Sequence, residues 1–306
     1  MRRKKKKSLY NGVIRDCRED KILYTVVTTV LVFFIIIVAY PLIYVVSSSF
    51  SSGMAVSTGR VLLWPVDFSL EGYKTVFSHR LIGSGYRNTI FYTFAGTLID
   101  VTITVMCAYP LARKDFPMRK FFMVIFIITM FFNGGMIPTY MVVAKLKLTN
   151  TIWAMLLPGA LSVYNMILVR TFIQNSIPVE LLEVAQIDGC SDARYFFSIL
   201  LQLSKPVIAV ITLYYAVGHW NSYFNAMMYL SNEELYPLQI VLRQVLLASK
   251  VNLSDMVDVE AMVAKQGLSD VLKYALIVVS TAPILCIYPF VQRFFIKGVM
   301  IGAVKG

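Results

Sequence analysis

Histidine and cysteine are scarce in this chain: its 306 residues include two histidines, His79 and His219, and four cysteines. Two imidazoles cannot build a His-rich metal site. Cys17, Cys107, Cys190 and Cys286 lie far apart, with no C-x-x-C spacing, so each reads as an isolated small apolar residue. Charge is thin as well. Only 15% of residues are Asp, Glu, Lys or Arg, where a soluble domain averages about a quarter, and this shortage excludes an ordinary globular enzyme. The chain also lacks H-E-x-x-H, G-x-S-x-G and G-x-x-x-x-G-K-[ST]. No catalytic, cofactor-binding or metal-binding set is therefore expected on it, and no P-loop cradles a nucleotide.

Apolar residues fill the space, at 58% of the chain, while Lys and Arg exceed Asp and Glu by 29 to 17. The positive residues flank long uncharged runs, as in membrane proteins, rather than forming the basic stripe of a nucleic-acid binder. Crossing ~30 Å of hydrocarbon at 1.5 Å per residue takes ~20 apolar residues. Six runs qualify: 23–46, 88–112, 121–144, 148–169, 206–232 and 274–292. Asp100 alone interrupts the second, and Asn133-Gly134-Gly135 with Pro138 predicts that the helix of the third ends before its run does. The first run is too long for a signal-peptide core and no A-x-A-like site follows it.

The sequence thus predicts an all-α membrane protein with six transmembrane helices. A basic tail (1–21) precedes the membrane domain (22–292), which contains a loop at 171–205, and a C-terminal tail (293–306) follows. Nineteen Lys and Arg lie in the two tails and the 113–120 and 170–205 segments, against ten in the alternate segments. This asymmetry predicts a multi-pass protein of the cell membrane with both termini cytoplasmic. Arg2 to Lys7 reads as a topology anchor that also touches anionic headgroups.

The 171–205 loop is the only cytoplasmic one long enough to fold. Pro178 suits a first helical turn and Glu180 complements the helix dipole. Leu181, Val184, Ala185 and Asp188 follow at helical spacing, and Gly189 offers the left-handed conformation that ends a helix. Ser191 can cap a second helix with Asp192 in its first turn, and Phe196, Ile199, Leu200 and Leu203 form its apolar stripe before Pro206 opens the fifth run. The expected element is a helix-turn-helix under the membrane, a knob through which force reaches the spans on either side.

At this point the chain resembles a family. Glu183-Val184-Ala185-Gln186-Ile187-Asp188-Gly189, nine residues, then Ile199-Leu200-Leu201, is similar to the EAA loop of ABC-importer permeases, E-A-A, three residues, G, nine residues, I-x-L-P. Val184 departs from the second position, and Gln202 stands where the pattern has proline. Tyr109-Pro110-Leu111-Ala112-Arg113-Lys114-Asp115-Phe116-Pro117, Gly134-Gly135-Met136-Ile137-Pro138-Thr139-Tyr140 and the ending from Tyr288-Pro289-Phe290 to Gly302-Ala303-Val304-Lys305-Gly306 resemble further motifs of the maltose-type carbohydrate-uptake branch, especially permeases for complex oligosaccharides. The resemblance implies a type I importer permease with cytoplasmic coupling helices, which pairs with a second homologous permease. It also implies two ATPase subunits carrying ATP and Mg, an extracytoplasmic sugar-binding protein and a carbohydrate substrate. Carried over, the ATPase-coupling positions are Glu183, Ala185, Asp188, Gly189, Ile199 and Leu201.

A sugar path should offer amides, hydroxyls and aromatic rings with few full charges. The fifth run supplies His219, Trp220, Asn221, Tyr223, Phe224 and Asn225, and continuous helical spacing would put Asn221 with Asn225 on one face and Trp220 with Phe224 beside them. Interhelical hydrogen bonding and ring packing explain the same residues equally well. Asp100 would suit a proton-coupled secondary carrier, the alternative reading. With only His219 as a titratable intramembrane partner, a hydrogen-bonded or protonated structural role fits it better.

Overall fold

A computed structural model describes residues 18–249 and 259–303. The Arg2 to Lys7 cluster, Cys17 and the terminal Val304 to Gly306 lie outside the described residues. Among the described residues every regular element is helical. In chain order they are α1 (Arg18–Ser49), α2 (Gly53–Ser57), α3 (Glu71–Ser78), α4 (Ile82–Ala112), α5 (Arg119–Phe131), α6 (Met136–Lys145), α7 (Trp153–Leu156) and α8 (Val163–Ser176). There follow α9 (Glu180–Ile187), α10 (Asp192–Tyr195), a π turn at Phe196–Leu200, α11 (Leu201–Leu203), α12 (Lys205–Trp220), α13 (Tyr223–Tyr229), α14 (Leu238–Ala248) and α15 (Val259–Ala303).

The central helix is α4, which packs on α12, α8 and α14. Its buried residues Tyr92, Gly96, Asp100, Thr104, Ala108 and Leu111 recur almost every fourth position, and on α12 Val207, Ile211 and Tyr215 do the same. Facing i, i+4 rows let two helices interdigitate closely. One end of this pair joins α8 and the 177–205 segment in a core of Val105, Ala108, Leu111, Met166, Val169 and Leu200. The other end joins α3, α14 and α15 around Val76, Trp220, Leu238, Val241 and Leu272. By contrast α1 exposes apolar side chains along most of its length, as a helix facing lipid does.

Among the described residues three helices are long and apolar enough to cross a membrane, α1, α4 and the Gln266–Pro289 part of α15. Two bent pairs bring the number to five: α5 with α6, turning by 113°, and Asp192–Leu203 with α12, turning by 80°. The first of these bends falls at Asn133-Gly134-Gly135, where Gly135 takes φ 89° and donates its N–H to Asn133 Oδ1 at 2.9 Å. The 148–169 run is not one helix. It divides into α7 and α8 at Pro158-Gly159, where Gly159 has φ 82°, and Ser162 caps α8 by accepting from the Asn165 N–H. The last helix is longer than its uncharged run, because charged residues such as Asp270 and Lys273 end the run without ending the helix.

Candidate functional site

The 177–205 segment forms two helices about a sharp turn. Asp188 follows the last residue of α9, Gly189 has φ 73°, the Gly189 N–H donates to Gln186 O at 3.0 Å and the Cys190 N–H to Ala185 O at 2.8 Å. This crossed pair is a Schellman motif, which satisfies the last carbonyls of a helix and needs a residue that tolerates positive φ. Ser191 then caps α10, its hydroxyl accepting from the Arg194 N–H at 3.3 Å. Glu183 and Asp188 are exposed, whereas Ala185 is buried and Ile199 and Leu201 pack inward against the core around Leu200. Ile187 is 85% exposed and Val184 and Phe197 also face outward; of this apolar surface the helical spacing picked out Val184 but neither Ile187 nor Phe197.

The apolar stripe of the second helix departs from expectation at its end. Leu203 is exposed and Ser204 is fully buried. The π turn is the reason: it puts five positions between the buried Tyr195 and Leu200, and from there the ordinary four-residue spacing carries the inward row to Ser204 rather than Leu203.

One guanidinium fastens this element to the central helix. Arg113, immediately after α4, donates from Nη1 to Asp192 Oδ1 at 2.5 Å and to the Tyr109 hydroxyl at 3.1 Å, and its other edge engages Asp115. Hydrogen bonding to Asp115 is the largest influence raising the Arg113 pKa, and the same contact holds the Asp115 carboxyl below its usual range. The Tyr109 ring lies 6.3 Å from Tyr195 and 5.4 Å from Phe196, so aromatic packing backs the ion pair. Nearby side chains close the C-terminus of α4: Arg170 donates to Leu111 O at 2.9 Å, Gln174 to Ala112 O at 3.1 Å and Arg119 to Arg113 O at 3.3 Å. Basic groups suit the negative end of a helix dipole. Between this end and α9 lies a cavity of about 680 Å³ whose lining includes Arg119, Arg170, Gln174 and Glu183.

Deeper in the bundle a polar seam joins α4 to α12. Asp100 Oδ2 and His219 Nε2 are 2.8 Å apart, with side chains only 3% and 13% exposed. Gly96 permits this approach, since a Cβ there would stand 2.4 Å from the imidazole ring. A second rung joins Thr104 to the Tyr215 hydroxyl at 2.6 Å, and that hydroxyl also accepts from the Ser162 N–H at 3.0 Å. The intramembrane carboxyl is thus hydrogen-bonded inside the bundle.

The expected cluster on the fifth run does not form a single face, because the helix ends at Trp220 and restarts at Tyr223. The Asn221 side chain donates to Val217 O at 3.0 Å, capping a carbonyl at the end of α12, a local bond by which Asn competes with helix continuation. His219 turns to α4, while Trp220 donates to Ser280 O at 2.9 Å within the opposite core. Tyr223 stands beneath Arg243 of α14, with the guanidinium carbon 5.1 Å from its ring centroid. Phe224 is exposed and Asn225 half-buried on α13. Neither the Arg113–Asp192 link nor the Tyr223–Arg243 pair has a local signal, since their members lie on different elements.

No family model matches the chain. It is 40% identical over 276 residues to a polygalacturonan/rhamnogalacturonan transport system permease protein of Bacillus subtilis, covering 90% of this chain and 96% of that one. It is also 41% identical over 267 residues to Protein LplC of the same organism, covering 87% and 89%. An arabinooligosaccharides transport system permease protein of Halalkalibacterium halodurans is 27% identical over 294 residues. Among solved structures, a chain from the crystal structure of a bacterial ABC transporter involved in the import of the acidic polysaccharide alginate superposes with a TM-score of 0.81 and 35% identity, covering 91% of this chain and 98% of that chain.

Proposed function

The chain belongs to the permease family of carbohydrate ABC transporters, and from that premise we propose that it forms half of the membrane path of an ATP-driven oligosaccharide importer and receives its energy through the 177–205 element. It is a multi-pass membrane transport subunit and not itself an enzyme. Its partners in this reading are a second homologous permease, two ATPase subunits that carry ATP and Mg, and an extracytoplasmic sugar-binding protein. Six crossings follow if α7 and α8 together make the fourth and α12 with α13 the fifth, with both termini in the cytoplasm where Lys and Arg are concentrated. Relatives named for polygalacturonan and for alginate support polymer-derived sugars as the cargo.

The observation that carries the coupling role is the asymmetry of α9. Glu183 and Asp188 face outward with the exposed apolar Val184 and Ile187, while Ala185 is buried against the fold, so a partner surface meets an acidic and apolar face on a turn fixed by Gly189. Glu183 would pair with a basic residue of the ATPase and Gly189 would shape the bend that enters its cleft. ATP-driven approach of the two ATPases would then move this element and tilt the bundle from inward-facing to outward-facing.

Substituting Glu183→Lys tests the assignment. The variant should insert in the membrane and leave the ATPases able to hydrolyse ATP, while ATP-dependent sugar uptake in reconstituted vesicles falls to near background. Uptake at the wild-type rate would defeat the coupling role. Uptake that follows a proton gradient without ATPase subunits would instead favour a secondary carrier.

A further inference from the structure

The cavity between the C-terminus of α4 and α9, about 680 Å³ in volume, has the size of a small-ligand site and a largely basic wall. Four cationic side chains line it, Arg113, Lys114, Arg119 and Arg170, against two acids, Asp115 and Glu183. Asp115 is engaged by Arg113, which also holds Asp192. Among the described residues neither Arg119 nor Arg170 makes an ion pair with Glu183 or any other acid.

These two arginines give the wall its character. Arg119, the first residue of α5, and Arg170 of α8 enter the same space close enough to repel one another. Both are half-buried, and each gives one N–H to a carbonyl at the end of α4. Arg170 donates through Nε, which leaves both of its Nη groups, and Arg119 donates through Nη1, which leaves Nη2 and Nε. Helix capping accounts for the bonds that are made. It does not account for two like charges converging on one partly desolvated cavity, an arrangement that is unfavourable until an anion joins them. Planar guanidinium forks match the oxygens of a phosphate group, and Gln174 and Gln186 supply amides on the same wall.

We propose that this cavity binds a phosphate group through Arg119 and Arg170, with the exposed Lys114 beside them, and that a phosphate held there clamps α9 to the membrane body. The group comes from a small phosphate ester in solution or from the headgroup of an anionic lipid, and the recognition chemistry is shared. The cavity is walled by α5 and α8 on one side and by Gln186 of α9 on the other, so its occupant bridges parts that coupling must move. Uptake therefore slows when it is filled. This consequence rests on the importer reading above, whereas the binding does not.

The test uses the complete transporter, with its ATPases and binding protein, in phosphatidylcholine nanodiscs for binding and in phosphatidylcholine vesicles for uptake. Glucose 6-phosphate is the soluble probe and glucose its uncharged control. Titration calorimetry should detect the ester and not glucose, and Arg119→Gln combined with Arg170→Gln should weaken ester binding by about tenfold or more. Lys120→Gln, on α5 but outside the cavity lining, should change it by less than about twofold. Because both arginines cap α4, the pair Arg119→Lys and Arg170→Lys keeps charge and donors in place, and its binding should fall between wild type and the glutamine pair. Saturating ester on the ATP side should slow the ATP-dependent sugar uptake of the wild type by about threefold or more, and should leave the glutamine pair at its own rate without ester. A lipid source shows instead as no ester binding but slower uptake in vesicles containing phosphatidylglycerol, again only when the arginines are present. Equal ester binding by wild type and the glutamine pair, no response to either phosphate source, or binding that leaves uptake unchanged overturns the proposal. Absence of ATP-dependent uptake by the wild type in phosphatidylcholine alone would defeat the importer reading, and calorimetry would still decide the binding.

Discussion

The two polar pairs made by α4 and the residue after it are similar in length and opposite in setting. Asp100 meets His219 at 2.8 Å inside the bundle, with side chains 3% and 13% exposed, whereas Arg113 meets Asp192 at 2.5 Å at the rim, with side chains 15% and 65% exposed. Distance alone would rank them as equals. Removing one partner of a buried pair strands a polar or charged group away from water, but an exposed pair exchanges its contacts for hydration and contributes little net stability. The first pair therefore fixes α4 against α12 as one body. The second holds the 177–205 element on that body by a link that can open and reclose at small cost, as the proposed coupling role would require.

Breaking the buried pair should have the largest effect. Asp100→Ala leaves His219 without its hydrogen-bond partner in a tight site and should cost about 1–3 kcal/mol, read as a lowered melting temperature of the detergent-solubilised complex, with Asp100→Asn milder because an amide still hydrogen-bonds the ring. A wild-type melting temperature for Asp100→Ala would remove the contrast between the two pairs. Next in size, Asp192→Ala should change stability by only about 0–1 kcal/mol but raise the number of ATP molecules hydrolysed per sugar transported, since the element then moves without pulling α4. An unchanged ratio would reduce the Arg113 link to surface decoration.

The smallest effect concerns pH. Arg113 holds the Asp115 carboxyl below its ordinary range, so the stabilisation from that contact is present above the unfolded pKa of about 3.9 and is lost only as pH falls through the lower folded value. Between about pH 5 and 8 the stability difference between wild type and Asp115→Asn should therefore stay constant, and chemical denaturation at several pH values would measure it. A difference that grows across that window would show that another group titrates at the joint.

The local chemistry of the 177–205 element was largely legible. Gly189 occupies the left-handed position that ends α9, Ser191 caps the next helix and Asn133-Gly134-Gly135 bends the third run, because each of these signals acts within a turn or two of chain. Spacing failed where the repeat itself changed. A π turn rotated Leu203 outward and brought Ser204 in, and the side chain of Asn221 capped α12 so that the fifth run broke in the middle of the expected sugar face.

Apolar runs, the placement of Lys and Arg and the turn residues determined by themselves that this chain is a helical membrane protein, because transfer into lipid and the capping of helix ends are properties of short segments. Only tertiary structure decided which side chains meet: Asp100 with His219 across 119 positions, Arg113 with Asp192 across 79, and Tyr223 with Arg243 between α13 and α14. Such pairings depend on the rotation and register of helices packed against one another, quantities set by the whole core at once and carried by no single stretch of residues.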